Sequence, residues 1–397
     1  MKRREALGYV LGTGWAWAGA RCVGGDARNP AMLRVTPSGE LHRDGKPLRA
    51  LGVNYFDCFL RVLKNPEDGS VERGFDVLAQ YGLSFARFCA TGFWPLDMDL
   101  YRSDRREYFA RFDRIVRWAE ERRIGLVPSL FWASWCVPDL VGEPRRAWGD
   151  EKSQTHRWMQ EYVREVVTRY RSSPAIWIWE FGNEYNLGVD LPNAADVRPP
   201  VAPRWGTPTQ RSAADDLTTA HLQTALAEFV RAVRAHDPDR PISSGHSIPR
   251  PTAWHQWRFG RWTRDRREEF EEIVEAHHPA GVDVISAHLY AEANWERLPW
   301  LDEVSRKLGR ALFIGEFGIS PSERRDERTQ FAVQLERLRN SRVSLAAAWV
   351  FDYARHEATH NIDPRGPRAW MLDMLKEESR RWAELSQRPP SRMGQSG

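Results

Sequence analysis

Short apolar segments alternate along the chain with longer amphipathic ones. Between the apolar segments, apolar residues recur at helical spacing, as Tyr108, Phe112, Ile115 and Ala119 do. Strands that alternate with helices pair in parallel through crossover helices. Eight strand-helix units predict an α/β protein, a closed (β/α)8 TIM barrel whose site residues lie at the carboxyl ends of the strands. The eight apolar segments are residues 48–54, 84–89, 125–130, 176–181, 241–244, 283–287, 311–315 and 345–350.

The segment ahead of the first barrel strand has the pattern of a β-hairpin. Residues 33–35 and 41–42 are short strand-like runs, and the turn-forming residues Pro37, Ser38 and Gly39 lie between them. We predict that this hairpin caps the floor of the barrel. Barrels of this class often exceed about 250 residues as one domain. We therefore assign residues 30–385 of the 397-residue chain to one barrel domain.

The two ends of the chain differ in composition from the barrel segment. Residues 1–20 have a basic start with paired Arg3 and Arg4, a short Gly-rich apolar middle and an Ala-Gly-Ala end. These are the parts of a cleavable export signal, and the paired arginines are typical of the twin-arginine type. We expect an exported protein, periplasmic or extracellular; the alternative for this segment is a disordered extension. Residues 386–397 predict a disordered tail.

Composition and charge narrow the possible partners. The chain is 42% hydrophobic and 28% charged, which is typical of a globular protein. Its 58 basic residues barely exceed its 54 acidic ones and are scattered, so we expect no nucleic-acid partner, and no membrane contact after signal removal. The four cysteines have no CxxC spacing, and we expect no essential disulfide. The 19 tryptophans are suited to packing on sugar rings, although most are expected in the core. The oligomeric state is not predicted.

Two glutamates directly follow predicted barrel strands. The fourth apolar segment continues into Gly182, Asn183 and Glu184, and the seventh ends at Glu316. Both side chains therefore belong to the same rim of the barrel. Glycoside cleavage needs two carboxyl groups, one to protonate the leaving oxygen and one to attack the sugar carbon or activate water. A lone rim glutamate is usually structural, but this pair predicts catalysis.

The residues around both glutamates resemble those of retaining barrel glycosidases, most of all glycoside hydrolase family 5, which contains cellulases and mannanases. The motifs are Trp-Glu-Phe-Gly-Asn-Glu at 179–184 and Ile-Gly-Glu-Phe-Gly at 314–318. The resemblance implies a glycosidase catalytic domain with Glu184 as acid/base and Glu316 as nucleophile of a double displacement. It also implies substrate-binding roles for Asn183, Arg87, His288, Tyr290 and Trp349, and we add Trp132, which follows the third strand.

The expected electrostatics of this pair are mutually consistent. Arg87 and Tyr290 are expected to donate to Glu316 and hold it ionised, and the charge of Glu316 is expected to keep Glu184 protonated. Retention predicts carboxyl groups about 5–5.5 Å apart. The structural alternatives are that Arg87 is only an ion-pair partner and that His288 is a hydrogen-bonded core histidine. Trp349 is expected under the bound sugar, with barrel filling as its alternative.

One departure from the family pattern leaves the substrate open. Residues 129–132 contain no histidine where many members carry one, so both β-mannan and β-glucan remain possible, with β-mannan favoured. An inactive glycan-binding barrel and a metal-dependent hydrolase on the same fold are the alternative functions. The intact carboxylates disfavour the first, and the lack of a His-x-His pair on an early strand disfavours the second. We expect no cofactor and no metal.

Two further segments are predicted on the catalytic face. Residues 356–360 match the His-Glu-x-x-His zinc pattern, which binds metal only on a helix. A turn-forming stretch, residues 361–367, follows them, so we predict a loop near the sugar site instead. Residues 185–209 are Pro-rich and lack periodicity. We predict that they form a lid that contacts the substrate, with a plain surface insertion as the alternative.

Overall fold

Eight parallel strands close into a barrel in the computed structural model of the protein, which describes residues 32–319 and 326–387. Their order around the barrel is that of the chain, and the last strand pairs with the first. The predicted (β/α)8 barrel is therefore confirmed, with all eight strands close to their expected positions. The strands are β4 (Ala50–Asn54), β5 (Phe85–Cys89), β6 (Gly125–Phe131), β7 (Trp179–Gly182), β8 (Ile242–Ser243), β9 (Val284–Leu289), β10 (Ala311–Phe317) and β11 (Leu345–Ala348).

The helices cover the outside of the barrel with their apolar faces turned inward. In the helix over Arg105–Glu121, the predicted apolar residues Tyr108, Phe112, Ile115 and Ala119 are all buried. Its start is fixed by Asp104, whose side chain accepts from the backbone N–H of Glu107. The helices are α1 (Cys58–Lys64), α2 (Ser70–Gln80), α3 (Asp99–Ser103), α4 (Arg105–Glu121), α5 (Cys136–Val141), α6 (Gln154–Tyr170), α7 (Thr219–Arg234), α8 (Ala253–Phe259), α9 (Arg267–His277), α10 (Glu292–Trp295), α11 (Leu298–Leu308), α12 (Glu327–Asn340) and α13 (Ala369–Gln387).

The floor of the barrel is closed by a small antiparallel sheet. It consists of β1 (Leu33–Val35), β2 (Leu41–Arg43) and β3 (Lys46–Pro47), so the predicted hairpin is present with one additional strand. Leu33 and Leu41 are buried in a cluster with Trp177 and Phe313 from the lower ends of the barrel strands. Full burial of each leucine stabilises the fold by about 2 kcal/mol. The hairpin thus completes the core below the site.

Both ends of the described chain lie near this floor. Residues 1–31 lie outside the described residues, and the predicted export signal lies among them. Helix α13 runs to Gln387, and the rest of the predicted tail, residues 388–397, also lies outside. Near its end, the Trp382 ring lies 4.6 Å from the Arg49 guanidinium, just ahead of β4. Among the described residues, no helix combines the length and apolar character needed to cross a membrane.

Candidate active site

Arg87, at the mouth of the barrel, binds four residues from the ends of three other strands. It lies in β5 and is fully buried. Its Nη1 donates to Glu316 Oε1 and to Asn54 Oδ1, both at 2.9 Å. Its Nη2 donates to Asn183 Oδ1 at 2.8 Å, and its Nε to Glu180 Oε1 at 2.7 Å. One guanidinium therefore fixes two carboxylates and two amides, and its bond to the half-buried Asn183 engages the amide oxygen and not the amide nitrogen.

Glu316 is the second-to-last residue of β10, and both of its carboxylate oxygens accept hydrogen bonds. Besides the bond from Arg87, the hydroxyl of Tyr290 donates to Oε2 at 2.5 Å. The side chain is only 5% exposed. Burial raises the pKa of Glu316 above its usual range, and the nearby Glu184 raises it further. His288, Arg87 and the Tyr290 hydroxyl oppose this rise because they favour the charged form.

Glu184 follows β7 in a backbone conformation that few residues other than glycine adopt. Its φ is 54° and its ψ is 26°, in the left-handed region. Its backbone N–H donates to the carbonyl of Gly245, in the loop after β8, at 2.9 Å. Strained residues of this kind cluster at functional sites. The side chain is 31% exposed, so it is accessible from the cleft.

Gly245 permits the close approach of two loops behind Glu184. Its φ is +70°, and a Cβ atom there would lie 1.8 Å from the carbonyl oxygen of Gly182. A side chain at position 245 would therefore push the loop after β8 away from the end of β7. The absence of a side chain at this position keeps the Gly245 carbonyl within reach of the Glu184 N–H.

His288, at the end of β9, lies between the two glutamates. Its Nδ1 is 2.9 Å from Glu184 Oε1 and 3.6 Å from Glu316 Oε1. The ring is fully buried, and burial lowers the pKa of His288 to about 3, so the ring is neutral. One carboxylate oxygen of each glutamate and a His288 nitrogen all lie within 4.8 Å of one another. The neutral ring can hydrogen-bond a carboxyl group without adding charge.

Burial is the main cause of the raised pKa of Glu184. Arg87 and the Ser247 side chain oppose the rise. From the sequence, we expected the charge of Glu316 to be the cause of this rise. The direction agrees with that expectation, but the cause differs, because the protein walls around Glu184 disfavour the charged form more strongly than one neighbouring carboxylate does.

Within residues 32–319 and 326–387, two clusters contain the side chains that metals prefer. The first is Glu184, His288 and Glu316. A cation there would compete with the Arg87 and Tyr290 donors that already engage Glu316. The second is formed by His255, Asp265 and Glu269, whose carboxylates accept from backbone N–H groups at the starts of α8 and α9. In both clusters, carboxylates already accept hydrogen bonds from the protein, and a metal ion would compete with these donors.

An aromatic wall lines one side of the mouth. Trp349, directly after β11, is half-buried and stacks on Trp132 with ring centres 6.1 Å apart. Trp132 is only 5% exposed, and the Arg87 guanidinium lies 4.4 Å from its ring centre. Trp349 is thus the more exposed of the two rings, whereas Trp132 packs between Trp349 and Arg87.

The His-Glu-x-x-His segment lies beside this wall and is not an α-helix. Residues 354–356 form a 3-10 turn, and residues 357–360 are in turn conformation. The Trp349 Nε1 donates to His356 Nδ1 at 3.2 Å, and the His360 ring lies 5.7 Å from the ring of Tyr290. The helical geometry that the zinc pattern requires is absent at residues 354–360, and the loop borders the site.

The long loop after β7 crosses the catalytic face. It contains short 3-10 turns, and its Trp205 stacks on Trp94 with ring centres 6.4 Å apart and planes 19° from parallel. Trp94 follows β5, two strands away around the barrel. The predicted lid segment therefore reaches from the fourth barrel strand to the second.

Three residues of this arrangement were not identified from the sequence. Asn54 ends β4, Glu180 lies inside the apolar segment of β7, and Gly245 shapes the loop after β8. Glu180 is fully buried and is bound by Arg87 and by Ser243, whose hydroxyl donates at 3.2 Å. A charged residue inside an apolar strand needs a buried partner, and this signal was available in the sequence.

Comparisons with known proteins give the family. The family model described as Cellulase (glycosyl hydrolase family 5) matches residues 85–354, which is more than half of the chain. The probable mannan endo-1,4-beta-mannosidase C of Aspergillus terreus (strain NIH 2624 / FGSC A1156) is 49% identical over 51 residues. That match spans 12% of this chain and only 13% of the relative.

Solved structures of low sequence identity share the fold. An endo-1,4-beta-mannanase from Rhizomucor miehei has a TM-score of 0.61 at 16% identity, over 89% of this chain and 99% of that one. An exo-beta-1,4-mannosidase from Opitutaceae bacterium strain TAV5 has a TM-score of 0.62 at 17% identity, over 89% of this chain and 63% of that one. Because the family model covers more than half of the chain, the protein belongs to glycosyl hydrolase family 5, the family that its strand-end motifs resemble.

Proposed function

We propose that this glycoside hydrolase cleaves β-linked glycans of the mannan type with retention of configuration, with Glu184 as acid/base and Glu316 as nucleophile. The observation that carries the proposal is the approach of their carboxylate oxygens to within 4.8 Å, with His288 between them. Retaining enzymes keep the two carboxyl groups about 5–5.5 Å apart, whereas inverting enzymes leave about 6.5–9.5 Å for a water molecule. The short separation supports retention.

The first step joins the sugar to the protein. The protonated Glu184 transfers its proton to the glycosidic oxygen while a Glu316 oxygen attacks the anomeric carbon. The bond between that carbon and the leaving oxygen breaks, and a glycosyl ester of Glu316 forms. The raised pKa of Glu184 suits a proton donor, and the donors Arg87 and Tyr290 hold the nucleophile in place.

The second step releases the sugar with water. Esterification removes the charge of Glu316, so Glu184, now a carboxylate, accepts a proton from the incoming water. The water oxygen attacks the anomeric carbon, and Glu316 leaves as a carboxylate. Two inversions give net retention. Burial lowers the pKa of His288 to about 3, so its ring is neutral and can hydrogen-bond Glu184 Oε1, which lies 2.9 Å from Nδ1.

The substrate class rests on similarity and on the aromatic wall. The relatives named above are described as mannanases and mannosidases that act on β-1,4-linked mannose. The Trp349 ring offers an apolar face on which a pyranose can pack. β-Glucan is the alternative substrate. We also propose export of the protein, because residues 1–20 have the three parts of a signal; N-terminal sequencing of protein recovered outside the cytoplasm tests this.

Sugar release tests the proposed reaction. The substrates are β-mannan, β-glucan, xylan and small aryl β-glycosides, and NMR detects the anomer formed first. The variants are Glu316→Gln and, as a matched control, Glu121→Gln, a half-exposed carboxylate at the end of α4. We expect β-anomeric product from mannan, loss of at least about 10³-fold in kcat for Glu316→Gln, and unchanged rates for the control.

Two outcomes would contradict the proposal. An α-anomer as first product would show inversion, and Glu316 would then not act as a nucleophile. Glycan binding without release from any substrate would make the inactive, glycan-binding barrel the better description of the protein.

A further inference from the structure

A cavity, which we call the side pocket, opens next to the aromatic wall. Its volume is about 380 Å³, and ligand pockets commonly span about 300–1,000 Å³. Aromatic rings of Phe56, Trp94, Trp205 and Tyr353 line it. Such rings offer apolar faces to the C–H faces of sugars. The side pocket therefore has the walls of a sugar-binding site.

The side pocket adjoins the aromatic wall at Phe56. The Phe56 ring lies 5.9 Å from the ring of Trp349 and 5.3 Å from that of Tyr353. Trp349 belongs to the wall beside the glutamates, and Tyr353 lines the side pocket. The side pocket is therefore next to the wall on which a glycan at the glutamates would pack.

Two of the basic side chains in the side pocket are already paired with acids. Arg61 contacts Asp57 at 3.3 Å and Asp352 at 3.0 Å. Lys64 lies 3.7 Å from Asp97. These contacts compensate the charges of Arg61 and Lys64, so neither provides a free cation for a ligand.

The other two basic side chains have no acidic partner. Arg204, in the loop after β7, and Arg355, after β11, are exposed and line the side pocket from two different loops. Within residues 32–319 and 326–384, no carboxylate lies within salt-bridge distance of either one. The Arg204 guanidinium lies 5.7 Å from the ring centre of Trp205. The side pocket thus combines aromatic faces with uncompensated positive charge.

We propose that the side pocket binds a sugar unit that carries a carboxylate, such as a uronic acid, within the glycan that is cleaved between Glu184 and Glu316. This inference rests on the proposed function for the presence of a glycan in the cleft. A guanidinium pairs with a carboxylate through two parallel N–H groups, a geometry that a neutral hydroxyl does not match. The two arginines therefore select acidic over neutral sugars at this position.

Ligand-observed NMR titration of the full-length protein tests the inference. The probes are methyl β-D-glucuronide, methyl β-D-glucoside and sodium acetate. We expect the glucuronide to bind about tenfold more tightly than the glucoside at low salt, with most of this preference lost at about 0.5 M NaCl because salt screens exposed charges. The double variant R204Q/R355Q should bind both sugars equally. The matched control Arg231→Gln, an exposed arginine on α7, should keep the preference.

Three results would overturn it. These are equal binding of the two sugars by the unmodified protein, a preference that survives in R204Q/R355Q, and acetate that binds as tightly as the glucuronide, which would indicate a plain anion site. Binding is measured without hydrolysis. A failure here, with sugar release intact, therefore refutes only the side-pocket inference, whereas the absence of sugar release refutes the proposed function.

Discussion

Replacing Glu180 by glutamine should shift the pH dependence of the enzyme toward acid. Glu180 and Glu316 bind the same guanidinium, that of Arg87, at 2.7 and 2.9 Å. Glu180 therefore competes with Glu316 for one positive charge. Glutamine keeps the shape and can still accept from Arg87 Nε, but it removes the competing charge. The pKa of Glu316 should fall, because its anion is then the only one beside Arg87.

The size of the shift follows from Coulomb's law. Two carboxylates that share one guanidinium are roughly 5–6 Å apart, and unit charges at that distance interact by about 3 kcal/mol at an effective dielectric constant of about 20. Since one pKa unit corresponds to about 1.4 kcal/mol, the upper limit is about 2 units. Burial raises the pKa of Glu180 itself, so its charge is partly lost at low pH. We expect a shift of about 1–2 units.

The assay measures kcat/KM as a function of pH. The acidic limb of this profile reports the group that must be ionised in the free enzyme. In Glu180→Gln this limb should move to lower pH. Ser243→Ala is the matched control, because it removes a hydrogen bond to Glu180 and leaves the charge, and its limb should move much less. Thermal unfolding of each variant checks that the barrel is intact. A limb that stays in place, or moves to higher pH, would refute the shared-charge argument.

Two further changes test other parts of the site. Tyr290→Phe removes the hydroxyl that lowers the pKa of Glu316. The acidic limb of the kcat/KM profile should therefore move to higher pH, opposite to the shift expected for Glu180→Gln. An unchanged acidic limb would contradict this role of Tyr290. Gly245→Ala would place a Cβ 1.8 Å from a backbone oxygen at positive φ, and should lower the free energy of unfolding in urea by about 2–4 kcal/mol. Gly260→Ala, at φ +62° with nothing within 4 Å, should lose only about 1 kcal/mol, and equal losses would contradict the steric argument.

The barrel could be predicted from the sequence because its signals are local and repeated. Each strand is a short apolar run, and each crossover helix carries its own apolar period, so the element order alone specifies the topology. Glu184 and Glu316 could be proposed as site residues for the same reason, since each lies at the carboxyl end of a strand. The fourth strand shows the limit of this approach. Its ladder covers Trp179–Gly182, while Ile176 forms only an isolated bridge to Leu126.

The remaining features depend on contacts between distant segments. Glu180 was overlooked because an apolar run hides a single charge, although its pairing with Arg87 organises the site. Gly245 has a role only because Gly182 packs against it. The side pocket needs Trp205 and Arg355 to meet from loops about 150 residues apart in the chain, and no periodicity encodes such a meeting.

The floor of the barrel, where both ends of the described chain lie, is the side on which the protein can be tethered. The chain enters the barrel domain at Leu33 in the floor sheet, and the last turns of α13 pack near Arg49 on the same side. Both attachment points face away from the glutamates at the mouth. A linker or solid support that joins the barrel domain next to Leu33 or at the end of α13 would therefore lie on the side away from the mouth.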